Sequence, residues 1–200
     1  DNTKAIPAVV MLHGSGPQDR HGYASLIGLL SQRLARRGIA VLAYDKRGVG
    51  QSVGDWNSAG FKELAADAAA AMALLRTIPG VDPSRIGLAG SSQAGWIAAE
   101  AVRADANPAF VMLIGAAGSA LTVPEQNLYN TKVRMQCSGV SASDVALALR
   151  QHRAFFAARR DPKLAPELFS ITAQARSRPG LADWLFPQTA EVGPSPEWYD

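Results

Sequence analysis

Short apolar runs alternate with amphipathic segments over the first part of the chain, and this alternation predicts its architecture. The apolar runs are bounded by glycine, proline or charged residues, a pattern typical of buried parallel strands; they are residues 8–12 (AVVML), 39–44 (IAVLAY), 86–90 (IGLAG) and 109–114 (AFVMLI). Between them, residues 23–37, 61–78 and 94–103 show helical spacing. Strands that alternate with helices predict an α/β fold, a parallel sheet with helices on both faces.

The character of the sequence changes after residue 118. Residues 124–136 and 143–160 have helical patterns, the remainder is punctuated by proline, and no apolar run after residue 114 predicts a further strand. We therefore expect residues 1–118 to form an α/β core and residues 119–200 to form a helical cap. Such insertions commonly shape a substrate pocket above the edge of a sheet.

Composition narrows the possible functions. The chain has 200 residues, of which 48% are hydrophobic and 18% charged, as in a globular domain. Its net charge of +3 is small and lies in short clusters at predicted helix ends, without interleaved aromatic residues, which argues against nucleic-acid binding. No apolar run is long enough to span a membrane. Composition thus gives no sign of a nucleic-acid or membrane partner, and it leaves the oligomeric state open.

Cys137 is the only cysteine. An internal disulfide and a cysteine-based metal cluster are both excluded. The cellular compartment stays open between cytoplasm and periplasm, because a protein without disulfides occurs in either.

Residues 86–96, IGLAGSSQAGW, carry the clearest chemical signal. The apolar run leads through a tight turn into a helix, and Ser92 lies in that turn with Gly90 before it and Ala94 and Gly95 after it. A nucleophile elbow has this form, because the serine occupies a strained turn whose neighbours must be small. The backbone amide of Gln93 then points to where an oxyanion would form. The alternative is an ordinary connecting turn in which the serine caps the helix.

Two further loops follow predicted strands. Residues 13–17, HGSGP, are rich in glycine, which allows backbone amides to approach a substrate oxygen closely; the alternative is a simple connection. Residues 44–52, YDKRGVGQS, contain the charged trio of residues 45–47. We interpret Asp45 and Arg47 as structural residues that tie loops together by ion pairs.

The three motifs HGSGPQDR at 13–20, YDKRGVGQS at 44–52 and GSSQAG at 90–95 resemble those of the α/β-hydrolase superfamily. The likeness is to its bacterial dienelactone-hydrolase and acyl-peptidase-like branch. The resemblance implies that Ser92 is the nucleophile. It also implies an oxyanion hole formed by the amide of Gln93 and an amide of the first loop, that of Ser15 or of the neighbouring Gly16. The roles implied for the remaining motif residues are to shape the site; these residues are His13, Gly14, Gly90, Ala94 and Gly95.

The function implied by the resemblance is that of a serine hydrolase. It would cleave a carboxylic ester or related acyl bond of a small-molecule acyl substrate through an acyl-enzyme on Ser92, without a metal ion or an organic cofactor. Peptidase, thioesterase and acyltransferase activities use the same serine and remain alternatives. A hydrolase-like binding module without catalytic activity is the alternative from another class.

The acid and the histidine of a catalytic triad are not evident. In this fold they follow the serine in the order Asp or Glu, then His, and the only histidine after Ser92 is His152, inside the predicted cap helix QHRAFFAARR. We interpret it as an ordinary cap or surface histidine. The carboxylates Asp144, Asp161 and Asp183 lie at predicted helix caps or turns. We therefore expect the hydrolase fold to be incomplete here, with the acid, the histidine and their strands outside this chain and the position of the true N-terminus left open.

Overall fold

The computed structural model describes residues 5–116 and 121–186, and the contacts divide the chain into two units, residues 1–119 and 120–200. The first unit contains four strands and three longer helices. In chain order these are β1 (Ile6–Leu12), α1 (Leu26–Ala35), β2 (Ala40–Ala43), α2 (Phe61–Thr77), β3 (Val81–Ser91), α3 (Ala94–Arg103) and β4 (Val111–Ile114).

The strands of the first unit form one parallel sheet in the order β2-β1-β3-β4. β1 lies inside this sheet, and its residues from Ala8 to Leu12 are at most 1% exposed, which explains why its sequence is a continuous apolar run. The predicted parallel α/β fold is confirmed, as a partial sheet of four strands.

Helices cover both faces of the sheet. Val9 and Met11 of β1 pack with Ile27 of α1 on one face. The alternate residues of β1 point to the other face, where α2 and α3 contact β1, β3 and each other. The rings of Phe61 and Trp96 stack between these two helices at a centroid distance of 5.5 Å.

The strand register brings three loops to one edge of the sheet. Leu12 pairs with Gly90, and Met11 pairs with Ala43. Because the strands are parallel, the segments that follow β1, β2 and β3 all leave from the same carboxyl edge. These segments are the three motif loops of the sequence.

The second unit is helical over residues 121–186. Its longer helices are α4 (Val123–Cys137), α5 (Ala142–Arg160) and α6 (Ala165–Arg176). α5 supplies most of its apolar core, including Phe155 and Phe156, whose rings pack with that of Phe186. No strand occurs in this stretch. The arrangement of this unit as a cap over the sheet stays a prediction.

Two element assignments differ from the expectations. β3 begins at Val81, five residues before the predicted apolar run at 86–90, because Val81 already pairs with Ile6 of β1. Residues 165–176 form a helix that the proline pattern did not predict, since Pro166 lies in its first turn, where a proline is tolerated.

Candidate active site

Ser92 lies in the two-residue turn between β3 and α3. Its φ is 54°, in the left-handed region that a non-glycine residue adopts at a cost of about 1–2 kcal/mol. The residue is exposed. Its hydroxyl makes no hydrogen bond with any residue in 5–116 or 121–186. The side chain is therefore not used as a helix cap, and its oxygen is accessible for chemistry.

The turn closes so tightly that its neighbours must be small. A Cβ added to Gly90 would lie 2.5 Å from Cβ of Ala94 and 2.8 Å from the carbonyl oxygen of Leu12. Ala94 is fully buried, so its methyl group fits at the start of α3, and Gly95 is buried beside it. The geometry requires glycine at position 90 and accepts alanine at position 94.

The loop after β1 lies directly against this turn. A Cβ built on Gly14 would be 3.7 Å from Cβ of Ser92. The amide of Gly14 donates to Oε1 of Gln18 at 3.3 Å. The amides of Ser15 and Gly16, like that of Gln93 in the turn, have no acceptor within the described residues. The available donors thus come from the two segments in which the sequence predicted them.

Lys46 joins these two segments, and sequence reasoning missed it. The side chain is 1% exposed. Its Nζ donates to the carbonyl oxygens of Gly14 at 2.8 Å and Gly16 at 3.1 Å, and to Oε1 of Gln93 at 2.8 Å. Burial lowers the pKa of Lys46 to about 8, so it is mostly an ammonium at neutral pH.

Asp45 anchors the loop that carries Lys46. Its carboxylate accepts three hydrogen bonds from Arg20, two from the guanidinium and one from the backbone amide, and a fourth from the amide of Gln51. The hydrogen bonds from the Arg20 side chain are the main reason that the pKa of Asp45 lies well below its usual range. On the other side of the same loop, Arg47 forms a bidentate pair with Asp67. These contacts agree with the structural roles expected for Asp45 and Arg47.

His13 is buried beneath the first loop. It is 2% exposed, and its ring meets that of Tyr44 edge to face at 4.9 Å. Burial, followed by the positive charge of Lys46, lowers the pKa of His13 to about 4. The imidazole is therefore neutral at neutral pH, and it packs as a buried side chain at the start of the first loop.

Neither of the two histidines of the first unit, His13 and His21, hydrogen-bonds to Ser92. His21 is exposed and packs against Gly28 at the start of α1. His152 is buried within the helical unit, where its Nε2 lies 2.7 Å from the carbonyl oxygen of Trp184. It is thus a packed residue of that unit, and the alternative of a surface histidine is wrong.

The three candidate carboxylates have local environments that match their predicted positions. Asp144 lies in the first turn of α5 and bonds to Ser141, and the side chain of Asp161 caps a short 3₁₀ turn. Asp183 lies in another such turn. Within the described part of the helical unit, none of the three forms a hydrogen bond or an ion pair with His152.

The described residues contain neither a metal-binding cluster nor a membrane-spanning helix. Residues 5–116 and 121–186 contain no group of three His, Cys, Asp or Glu side chains that could hold a metal ion. Within those ranges no helix combines the length and the apolar character needed to cross a membrane.

A sequence model of the family described as serine aminopeptidase, S33, matches residues 3–163. The chain belongs to this family. It therefore belongs to the α/β-hydrolase superfamily, and the resemblance found in the three motifs is confirmed at that level. The matched range includes the sheet, the turn at Ser92 and the helices α4 and α5.

Solved structures similar to this family member share its fold. The structure of DcsB in complex with its substrate analogue matches with a TM-score of 0.52 and 22% identity, over 68% of this chain and 45% of that one. The α/β hydrolase GrgF from Penicillium sp. sh18 matches with a TM-score of 0.51 and 23% identity, over 68% and 46% respectively. The chain thus spans about half the length of these proteins. No curated protein sequence matches it.

Proposed function

We propose that Ser92 is the nucleophile of a serine hydrolase that cleaves a carboxylic ester or a related acyl bond. The proposal rests on one observation. Ser92 is exposed and has a left-handed backbone conformation, and backbone amides without an acceptor in the described residues occur in both adjoining segments, at Gln93 and at Ser15 and Gly16. A hydroxyl held at the edge of a sheet beside such amides suits attack on a carbonyl carbon.

In the proposed reaction, a histidine takes the proton of Ser92 while the serine oxygen bonds to the carbonyl carbon. The carbonyl oxygen becomes an oxyanion and accepts hydrogen bonds from the amides of Gln93 and of Ser15, with Gly16 as the neighbouring candidate. The alcohol leaves with the proton held by the histidine, and water then releases the acyl group. Each oxyanion donor contributes about 3 kcal/mol in comparable sites.

The histidine and its orienting acid belong, in this proposal, outside the residues that the structure describes. His13 is buried, His21 is exposed beside α1, and His152 is held within the helical unit. Because His13 and His21 make no hydrogen bond to Ser92 and Nε2 of His152 already lies against the carbonyl oxygen of Trp184, we expect the 200-residue chain alone to have little or no turnover.

The family description favours a second candidate, an aminopeptidase. It would use the same serine and the same amides on a peptide bond, and it differs only in the substrate pocket and in the leaving amine. A panel of 4-nitrophenyl esters and aminoacyl 4-nitroanilides separates the two: faster turnover of the esters supports an esterase, and faster turnover of the anilides supports an aminopeptidase.

A fluorophosphonate probe tests the proposal itself. In the natural polypeptide that contains this chain, we expect the probe to label the wild type and the Ser91→Ala variant, and not the Ser92→Ala variant. Ser91 is the matched control because it is the adjacent serine at the end of β3. Absence of labelling in the wild type supports the alternative of a non-catalytic binding module, whereas labelling that persists in Ser92→Ala means that another residue reacts and that Ser92 is not the nucleophile.

A further inference from the structure

Lys46 is buried without a counter-ion. No carboxylate in residues 5–116 or 121–186 pairs with its ammonium, and the adjacent Asp45 is engaged by Arg20 and Gln51. A buried, unpaired ammonium disfavours folding unless it is fully hydrogen-bonded. Its pKa of about 8, lowered by burial, reflects that cost. A charge that is kept buried at this cost, offset only by its hydrogen bonds, is expected to serve another purpose.

The three acceptors of Lys46 show what that purpose is. Two of them, the carbonyl oxygens of Gly14 and Gly16, flank Ser15 in the first loop, and the third is the side chain of Gln93 in the turn. All three N–H groups of the ammonium are therefore in use. Lys46 is not arranged to take a proton from Ser92, and it links the two segments that carry the candidate oxyanion donors.

Peptide geometry connects Lys46 to one particular donor. In a trans peptide the C=O and the following N–H point in opposite directions, and the structure contains no cis peptide among its described residues. The Gly14 carbonyl points at Lys46, so the N–H of Ser15, in the same peptide unit, points away from the ammonium. The contact thus fixes the rotation of the peptide plane that contains this amide.

We propose that Lys46 is a positioning residue that orients the Ser15 amide and sets its spacing from the Gln93 amide, so that both reach one oxyanion. This inference rests on the proposed function. Lys46 acts through the two backbone segments and does not touch the substrate. Because each oxyanion donor must be held in place before the reaction, loosening this link should slow the chemical step more than it weakens substrate binding.

The test compares Lys46→Met with Arg47→Met in the natural polypeptide, using a 4-nitrophenyl ester. Arg47 is the matched control because it lies in the same loop but pairs with Asp67 and not with either donor segment. We expect Lys46→Met to lower kcat by about 10-fold to 100-fold, the range for a displaced catalytic group, with KM changed less than about 3-fold. Arg47→Met should keep kcat within about 2-fold of the wild type, because its ion pair lies away from the reacting atoms.

A second variant keeps the test decisive if Lys46→Met does not fold. Gln93→Met removes the acceptor of Lys46 while keeping the backbone amide of residue 93. It should lower kcat in the same way, and the double variant should lose less than the product of the two single losses, because both act on one link.

Two outcomes overturn the inference, and they can be told apart. If the wild type shows Ser92-dependent turnover but Lys46→Met and Gln93→Met keep its kcat, or lose it only in step with Arg47→Met, the positioning role is wrong and the proposed function stands. If the wild type itself shows no Ser92-dependent turnover or labelling, the proposed function is wrong and the positioning role falls with it.

Discussion

The substitution Gly90→Ala probes how tightly the turn at Ser92 is packed. The added methyl group would meet Cβ of Ala94 at 2.5 Å, the carbonyl oxygen of Leu12 at 2.8 Å and Cβ of Leu12 at 2.9 Å. Such distances are far inside van der Waals contact, and one of the three atoms belongs to the backbone of the central strand β1. Relief therefore requires β1 or the start of α3 to move.

Overpacking of a buried site typically destabilises a protein by 1–3 kcal/mol, and we expect Gly90→Ala to reach about 3 kcal/mol because backbone must shift. For a domain of this size, that corresponds to a decrease in Tm of about 10 °C. We also expect loss of Ser92 labelling by a fluorophosphonate, even in the fraction that remains folded, because the displaced segments carry Ser92 and the first loop.

The assay is urea unfolding at neutral pH followed by circular dichroism, with Gly28→Ala as the matched control. Gly28 lies inside α1, and the nearest atom to its added Cβ is Nδ1 of the exposed His21, at 3.2 Å. Since alanine is the better helix residue, the control should be neutral or more stable by about 0.5 kcal/mol. A Gly90→Ala variant within about 0.5 kcal/mol of the wild type, with labelling intact, would refute the reasoning.

Three further predictions concern residues that support the site and the helical unit. Asp45→Asn should lower the urea midpoint at neutral pH. Because the pKa of Asp45 is lower in the folded than in the unfolded protein, the carboxylate stabilises the fold above the unfolded pKa, and this stabilisation is lost as the carboxylate protonates. The difference in midpoint between the variant and the wild type should therefore close as the pH falls below about 4. The free energy of unfolding of the wild type should fall as the pH is lowered from 6.5 to about 4, because His13 binds a proton in the unfolded chain but stays neutral when buried in the folded one. This contribution is on the order of 3 kcal/mol, and urea titrations should show that it is absent from His13→Gln. Gln151→Leu should destabilise the helical unit by about 2 kcal/mol and speed hydrogen exchange at the amide of Phe186, because buried Gln151 bonds to both the N–H and the C=O of that residue; unchanged exchange would contradict this.

The strands of the first unit could be predicted because buried parallel strands consist of short runs of apolar residues, which are visible in the sequence. Residues 8–12 are apolar at every position since β1 is covered on both faces. The turn at Ser92 was also predictable, because the tight packing around it leaves room only for small residues at positions 90 and 94. α6 was missed for a local reason too, as a proline in the first turn of a helix was interpreted as a break.

Lys46 could not be assigned from the sequence because its partners are remote along the chain. Its acceptors belong to residues 14, 16 and 93, which strand register alone brings together. A lysine in a loop of charged residues is ordinarily solvated. The one local signal is its position just after β2, at the carboxyl edge where the other two motif loops also begin.

The central claim is that the hydroxyl of Ser92 forms the acyl-enzyme, and trapping that intermediate tests it most directly. The natural polypeptide is mixed with 4-nitrophenyl acetate, quenched in acid within the first turnovers and mapped by mass spectrometry. The account predicts an acetyl group on the peptide that contains Ser92, present in Ser91→Ala and absent from Ser92→Ala. An acetyl group on another residue, or turnover that continues in Ser92→Ala, would contradict it.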